Sequence, residues 1–533
     1  MESSIHKIPR TPFSNAITSF IDKYLYKKKS NIIKNYTFDN ENILLYYNFF
    51  YKNYLDMKKN KINLINFNND NRKNNLYLNN LDKCELDYQK DKYRSKFITI
   101  LKILGRNYKN ILEEIFDVYD FSEKEIKDIN LFIKKLLKET ISKEKVVEWV
   151  NLNGKKLARC IYILLLNKKL PDEILKFIGY DINFEIYGEF TSLDIQKDIE
   201  LNLLNVSNFT YKLDNINLKL KIHSYKNYNI NSKLLDRIFY FNFLVNKKDI
   251  DVTLWLSSKN KTLDFNRKER YIGPKEINSG CTTFVYPNKV SVWRKEELPK
   301  VLLHEIFHSV ELEDLVNTLE IENFIFSHFD IKRSLNKITI SESYVESFAN
   351  ILNVFFIVQD TFNYKIKKSN SLKVRKKTKI SKKKDNIENE KISLFLECLR
   401  VETFWIIFLA AKIIYYFRFS SFEDFYKKQG IAEEKKTSRF LQKTNVFSYF
   451  ILRSAIFFNL EDFLGICLKY NKEQILKNQI PPLIMKKFYE RTFNDLNFHK
   501  TINRFIKFLE KIHKKNKYIE IFNSTRMTCL ESK

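Results

Sequence analysis

Two histidines and a glutamate carry the chemistry that this chain can perform: Val301-Leu302-Leu303-His304-Glu305-Ile306-Phe307-His308 reads HExxH. On a helix of about 3.6 residues per turn, His304 and His308 stand one above the other and can present two imidazole nitrogens to one metal ion. Glu305 sits beside that face, where its carboxylate can take a proton from a water polarised by the ion. With only seven histidines in 533 residues, the chance of such a motif arising by coincidence is on the order of 1 in 200. The rival reading is a core helix that carries two partnered histidines.

A catalytic zinc takes three protein ligands and leaves one position for water. Downstream, Ser341 to Asn350 opens a second helix whose apolar residues, Tyr344, Val345, Phe348, Ile351, Leu352 and Phe355, follow helical spacing. On it Glu342, Glu346 and Asn353 form a polar stripe, which either faces solvent or is aimed at a buried ion. Asp314 stands where the pattern HExxHxxGxxH puts its last ligand, but Glu311 occupies the glycine position, so no glycine makes the sharp helix exit. Glu346 could also ligate, with Glu342 behind it.

These residues resemble the gluzincin metallopeptidases, in which HExxH is followed on a second helix by a pattern matching Glu342-Ser343-Tyr344-Val345-Glu346-Ser347-Phe348-Ala349. The resemblance implies a zinc-dependent peptidase in which His304, His308 and Glu342 hold Zn2+, Glu346 orients a ligating histidine and Glu305 activates water. More narrowly, Asn278-Ser279-Gly280-Cys281-Thr282, then Val292 to Glu297, then both helices, is similar to uncharacterised HExxH proteins of large DNA viruses. That likeness covers Asn278 to Phe355 and implies a viral protein working in the cytoplasm of a host cell or in the virion. Val345 replaces the more usual alanine, a minor departure.

Thr282 to Trp293 is expected to contain a strand, with Val290 and Val292 alternating around Ser291. By the resemblance, an edge strand before the zinc helix pairs with an extended peptide substrate; the plain alternative is an ordinary sheet strand. His328, between the two helices, could hydrogen-bond a tetrahedral oxyanion as a transition-state stabiliser, or be a surface residue. Arg294 and Tyr344 are weaker candidates of that kind. His6, His223, His499 and His513 sit in no ligand spacing and receive no role.

The HExxH segment must be helical, and its flanks comply. Lys295-Glu296-Glu297-Leu298-Pro299 offers acids and an early proline suited to a first turn, and Val301, Leu302, Ile306, Phe307 and Val310 cover the rest of the cylinder. At this length, with 44% hydrophobic residues, 8 Gly and 8 Pro, the chain has material for more than one core, which excludes a small scaffold. Apolar spacing is helical between Phe97 and Ile178, whereas NFEIYGEF, IELNLLNV, LKLKIHSY and DIDVTLWL read as strands. The expected fold is α+β and mainly helical, a small mixed sheet packing against the HExxH helix, with helical N- and C-terminal regions. The expected organisation is an N-terminal region with an Asn-rich linker (1–90), a helical region (91–180) and a zincin-like catalytic domain (181–364). A Lys-rich loop (365–391), a helical C-terminal unit (392–515) and a tail (516–533) follow.

The net charge of +29 invites a nucleic-acid partner, most plainly through the acid-free run Lys365 to Lys384. However, lysine far outnumbers arginine and Asn, Ile, Phe and Tyr are abundant, a pattern that A+T-rich coding also produces, and binders of single strands interleave aromatics with their basic residues. Six dispersed cysteines without a CxxC pair, and a start lacking an apolar leader, fit an intracellular protein with reduced thiols that is not secreted. Phe404 to Phe417, interrupted by Lys412, is too short to span a membrane. No GxxxxGK[ST] or GxGxxG is present, which leaves phosphate-cradling nucleotide sites without support. The readings that compete are a zinc peptidase acting on peptides or proteins, a non-catalytic virion or structural protein that keeps the zincin fold, and a basic nucleic-acid binder.

Overall fold

The computed structural model describes residues 8, 10–25, 36–59, 72–73, 91–118, 121–150, 152–153, 157, 191–203, 205–213, 216–226, 228, 232–245, 249–283, 288–313, 318–336, 338–372, 381–429, 438–472, 474–513 and 518–531. The fold is mainly helical α+β, built on one mixed sheet. Its strands are β1 (Arg72–Lys73), β2 (Asn205–Leu213), β3 (Ile216–Ser224), β4 (Asp249–Ser257), β5 (Gly280–Thr283) and β6 (Lys289–Arg294), in the order β1-β2-β3-β4-β6-β5. β3, β4 and β6 run parallel to one another, and β2 and β5 pair antiparallel at either side.

Alternation along the strands builds two cores. Ile250, Val252, Leu254 and Leu256 of β4, with Val290 and Val292 of β6, belong to the larger one, whereas Trp255 and Trp293 belong to a second. That second core is built from the helices α1 (Asp91–Asn107), α2 (Lys109–Val118), α3 (Glu123–Leu137) and α4 (Leu193–Asn202), which contribute Leu101, Phe132 and Ile199 to it. On the large-core side lie α5 (Ser232–Val245), which connects β3 to β4, and α6 (Leu298–Ser309), the HExxH helix.

The segment expected to hold one strand holds two. β6 carries Val290 and Val292, while β5 pairs with it through Gly280↔Val292 and Thr282↔Val290 and forms the sheet edge. β6 then leads into α6, with Pro299 in the first turn. Glu297 precedes the helix at φ 57°, a left-handed conformation. Its carboxylate pairs with Lys261 and accepts from Thr528 N, which ties the helix start in place. At the other end, Glu311 adopts φ 56°. The sharp exit is therefore made without glycine, at the steric cost that side chains meet in this region.

Four sequence expectations are corrected. IELNLLNV does not open as a strand: Ile199 to Asn202 form the last turn of α4, where Ile195, Ile199 and the capping Leu203 are buried with helical spacing, and β2 starts at Asn205. NFEIYGEF lies outside the described residues. The Lys-rich segment is no loop from 365 to 391, because α8 (Ser341–Leu372) runs into it and α9 (Ser381–Tyr416) starts inside it. Within the Asn-rich tract, Arg72 and Lys73 pair with β2. The tail expected at 516–533 instead forms a turn of helix (Ile519–Asn523), and Thr525 to Leu530 are buried. Glu402 on α9 holds this extended stretch by accepting from the amides of Cys529 (3.2 Å) and Leu530 (3.0 Å).

The large core does not break between 364 and 392. It includes Ile17 and Tyr47 from the N-terminal helices, Phe348 of α8, Trp405 of α9 and Leu530. Lys412, which interrupts the most apolar stretch, is fully buried and donates to the carbonyls of Ile521 (2.8 Å) and Ser524 (2.7 Å). Among the described residues, no helix is long and apolar enough to cross a membrane.

Candidate metal centre

α6 is buried nearly all round. Leu302, Leu303, Ile306 and Phe307 fill the core, and the edge that remains carries His304, Glu305 and His308. α8 packs against it, and the spacing of Glu342, Glu346 and Asn350 aims one polar stripe inward, as the first turns of an amphipathic helix can. Glu346 and Asn350 are buried and Glu342 is largely so, with its side chain 14% exposed toward the cavity.

Three ligand atoms converge between the helices. His304 Nε2 and His308 Nε2 are 3.0 Å apart, and Glu342 Oε2 lies 3.3 Å from each. A tetrahedral zinc with bonds of about 2.0–2.1 Å needs ligand atoms roughly 3.3 Å apart, so the triangle has the right size. Its chemistry fits as well. His304 Nδ1 is 2.8 Å from Glu346 Oε2, and His308 Nδ1 is 2.5 Å from Glu313 Oε2. A carboxylate at that distance keeps the ring proton on Nδ1 and turns the Nε2 lone pair toward the centre. Two lone pairs and a carboxylate oxygen facing one another repel unless a metal ion, or a proton on an imidazole, lies between them. Glu342 Oε1 accepts from Asn445 Nδ2 (3.1 Å), whereas Oε2 is buried without a hydrogen-bond partner among the described residues. The residues present therefore fit a metal ion, and among those described this is the group of His, Cys, Asp and Glu side chains that could hold one.

Electrostatics fixes the supporting acids. Burial opposes ionisation of Glu346, but Lys300, His304 and Arg453 outweigh it and hold the carboxyl well below its ordinary range. Glu346 Oε1 accepts from Lys300 Nζ and from Arg453 (2.7 Å).

Glu305 is not one of the converging ligands. It is buried against β5, accepts from Thr282 Oγ1 at 3.0 Å, and is pushed above the usual carboxylate range, chiefly by burial. A side chain at Gly280 would place Cβ 2.8 Å from Glu305 Cγ and Oε1 and 2.9 Å from Ser291 O, so only glycine leaves the carboxylate room. A cavity of about 230 Å³ opens over this arrangement, lined also by Tyr449 and Asn445. Tyr449 lies on a π-helical turn, Phe447–Leu452, with its ring 6.0 Å from that of His304.

His304, Glu305, His308, Glu342 and Glu346 thus come together. His328 does not join them: it ends the helix α7 (Leu319–His328), stacks on Tyr426 and is bonded to Ser327 and Phe324 O. Arg294 is spent on the carbonyls of Asn278 (3.0 Å), Lys259 (2.8 Å) and Lys275 (2.6 Å), which clamps the approach to β5. Tyr344 is a core residue bonded to Leu476 O and Asn471. Asp314 lies outside the described residues. Sequence reasoning missed Glu313, Tyr449 and Asn445. Glu313 follows the helix with no periodicity to mark it, and Tyr449 and Asn445 reach the centre from more than a hundred positions downstream of Glu342. Comparison with protein-family models, with curated proteins and with solved structures finds no match to this chain.

Proposed function

We propose that this chain is a zinc-dependent peptidase. The observation that supports this best is the His304–His308–Glu342 triangle with a carboxylate behind each imidazole, placed beside a glutamate that is not a ligand. A zinc ion held there would acidify water and polarise the carbonyl to be attacked.

The chain's own residues supply the rest. Glu305, set by Thr282 and by the space at Gly280, takes the proton from the attacking water and returns it to the leaving amine. Glu346 and Glu313 keep both imidazoles in one tautomer and orientation. The Tyr449 hydroxyl is a neutral donor within the same cavity, since burial followed by the Glu342, Glu305 and Glu346 charges pushes its pKa far up, and it can hydrogen-bond a developing oxyanion. β5 is the sheet edge beside Glu305, where an extended peptide can add as a further strand.

A purely structural site has no use for a base held off the ligand set, and Glu305 therefore favours the catalytic reading over a non-catalytic zincin fold. The test compares wild type with Glu305→Gln on a mixed peptide library. The variant should keep its metal and lose cleavage by about a hundredfold or more, the typical contribution of a general base. Equal rates for the two proteins, or no cleavage by metal-loaded wild type, would count against the proposal.

A further inference from the structure

The cavity has two unlike ends. Toward His308 it is lined by Glu313, Thr339 and Ser341. The other end lies one helical turn before His304, where Val301 and Lys300 of α6 face Ile277, Ser279, Lys261 and Met527. Ser279 immediately precedes Gly280, so this inner end adjoins both the sheet edge and Glu305.

Its polar groups are unbalanced. The Ser279 hydroxyl, on a residue only 5% exposed, has no hydrogen-bond partner among the described residues. The Lys261 ammonium carries three hydrogens and is paired there with a single carboxylate, that of Glu297. Lys300 is paired with Glu346, lies near the Glu297 carboxylate and, among the described residues, otherwise donates only to the weak acceptor Met527 Sδ, at 3.8 Å. The acceptors nearby are already taken: Asn278 Oδ1 accepts from Thr444 (2.8 Å), and Asn278 O from Trp293 and Arg294. Spare donors and two ammonium groups, between the apolar walls of Ile277, Val301 and Met527, complement a short side chain that ends in acceptors. They leave a basic one without a free acceptor.

Resting on the peptidase reading, we propose that this inner end is a side-chain subsite that selects an acidic residue, aspartate or glutamate, next to the scissile bond. Ser279 and Lys261 are its specificity-determining residues. A carboxylate there meets charge-assisted donors, which are stronger than neutral ones and cannot be supplied to a leucine. A lysine there would find the neighbouring carboxylates of Glu297 and Glu346 already engaged by Lys261 and Lys300.

The test is calorimetric binding of dipeptide hydroxamates to the zinc-loaded full chain, with Asp, Leu or Lys on either side of the metal-binding group. One side should show a preference for Asp over both Leu and Lys of roughly tenfold or more, the worth of a well-placed charged hydrogen bond. Ser279→Ala, which removes a hydroxyl that bonds nothing among the described residues, should fold normally and reduce that preference severalfold. Leu or Lys compounds binding as tightly as Asp would overturn the subsite while leaving the open metal site intact, and so would a preference unchanged in Ser279→Ala. Failure of every hydroxamate to bind the zinc-loaded chain would overturn the subsite and the peptidase reading together.

Discussion

At the scale of single residues, the HExxH motif and its partners on α8 were legible because helical spacing is a local property. His304 and His308 four apart, and Glu342 and Glu346 four apart, must each share a face once their segments are helical. Glu313 was not legible, since nothing in the sequence says that the chain turns back after Ser309 to bring a carboxylate to His308. Glu313→Gln should retain the fold and weaken metal affinity by roughly ten- to a hundredfold, the usual effect of losing such a partner, as measured by competition with a chromophoric chelator. Gly280→Ala isolates the proposed base, Glu305, instead. The added methyl has no room beside Glu305 and Ser291 O, so metal content should match wild type while peptide cleavage falls. Unchanged cleavage would show that the close approach of β5 to Glu305 is not needed.

Elements brought together from distant parts of the chain account for what the sequence concealed. The stretch Thr525 to Leu530 has no apolar period and reads as a tail, yet it is threaded between α6, α8 and α9 and bound by Glu297, Asn350, Asn353 and Glu402. Glu402 makes this element sensitive to pH. Burial pushes its carboxyl up to about 7, against the pull of hydrogen bonds from Thr528, Leu530 and Cys529. A carboxyl raised on folding stabilises fully below its ordinary value of 4.5, and this contribution is lost as pH rises through about 7. Its size is roughly 3 kcal/mol, because each tenfold change in proton affinity is worth about 1.4 kcal/mol. Chemical denaturation should therefore show stability falling between about pH 4.5 and 7, and Glu402→Gln should flatten that slope. An identical slope in the variant would remove Glu402 as its source.

Over the whole molecule, the expected α+β architecture is present, but its division into a catalytic unit and a C-terminal unit does not follow the Lys-rich run. A charge run signals where a chain is not packed; it does not say that the helices on either side pack on different cores. Here Phe348 and Phe355 of α8 share one core with Trp405 and Phe408 of α9. Fragments 1–372 and 381–533 should accordingly be poorly folded when made separately and form a stable complex when made together, as read by circular dichroism and size-exclusion chromatography. Two independently folded fragments that ignore each other would restore the two-unit division. The same unity bears on the centre, because Arg453 and Tyr449 reach it from beyond that run.

Metal content tests the central claim most directly. Elemental analysis after exhaustive dialysis should find about one zinc per chain in wild type and in Glu305→Gln, and little in His304→Ala or Glu342→Gln, since catalytic zinc sites depend on three protein ligands. Negligible zinc in wild type after growth and purification with zinc supplied, or equal zinc in wild type and His304→Ala, would contradict the assignment of His304, His308 and Glu342 as a metal centre.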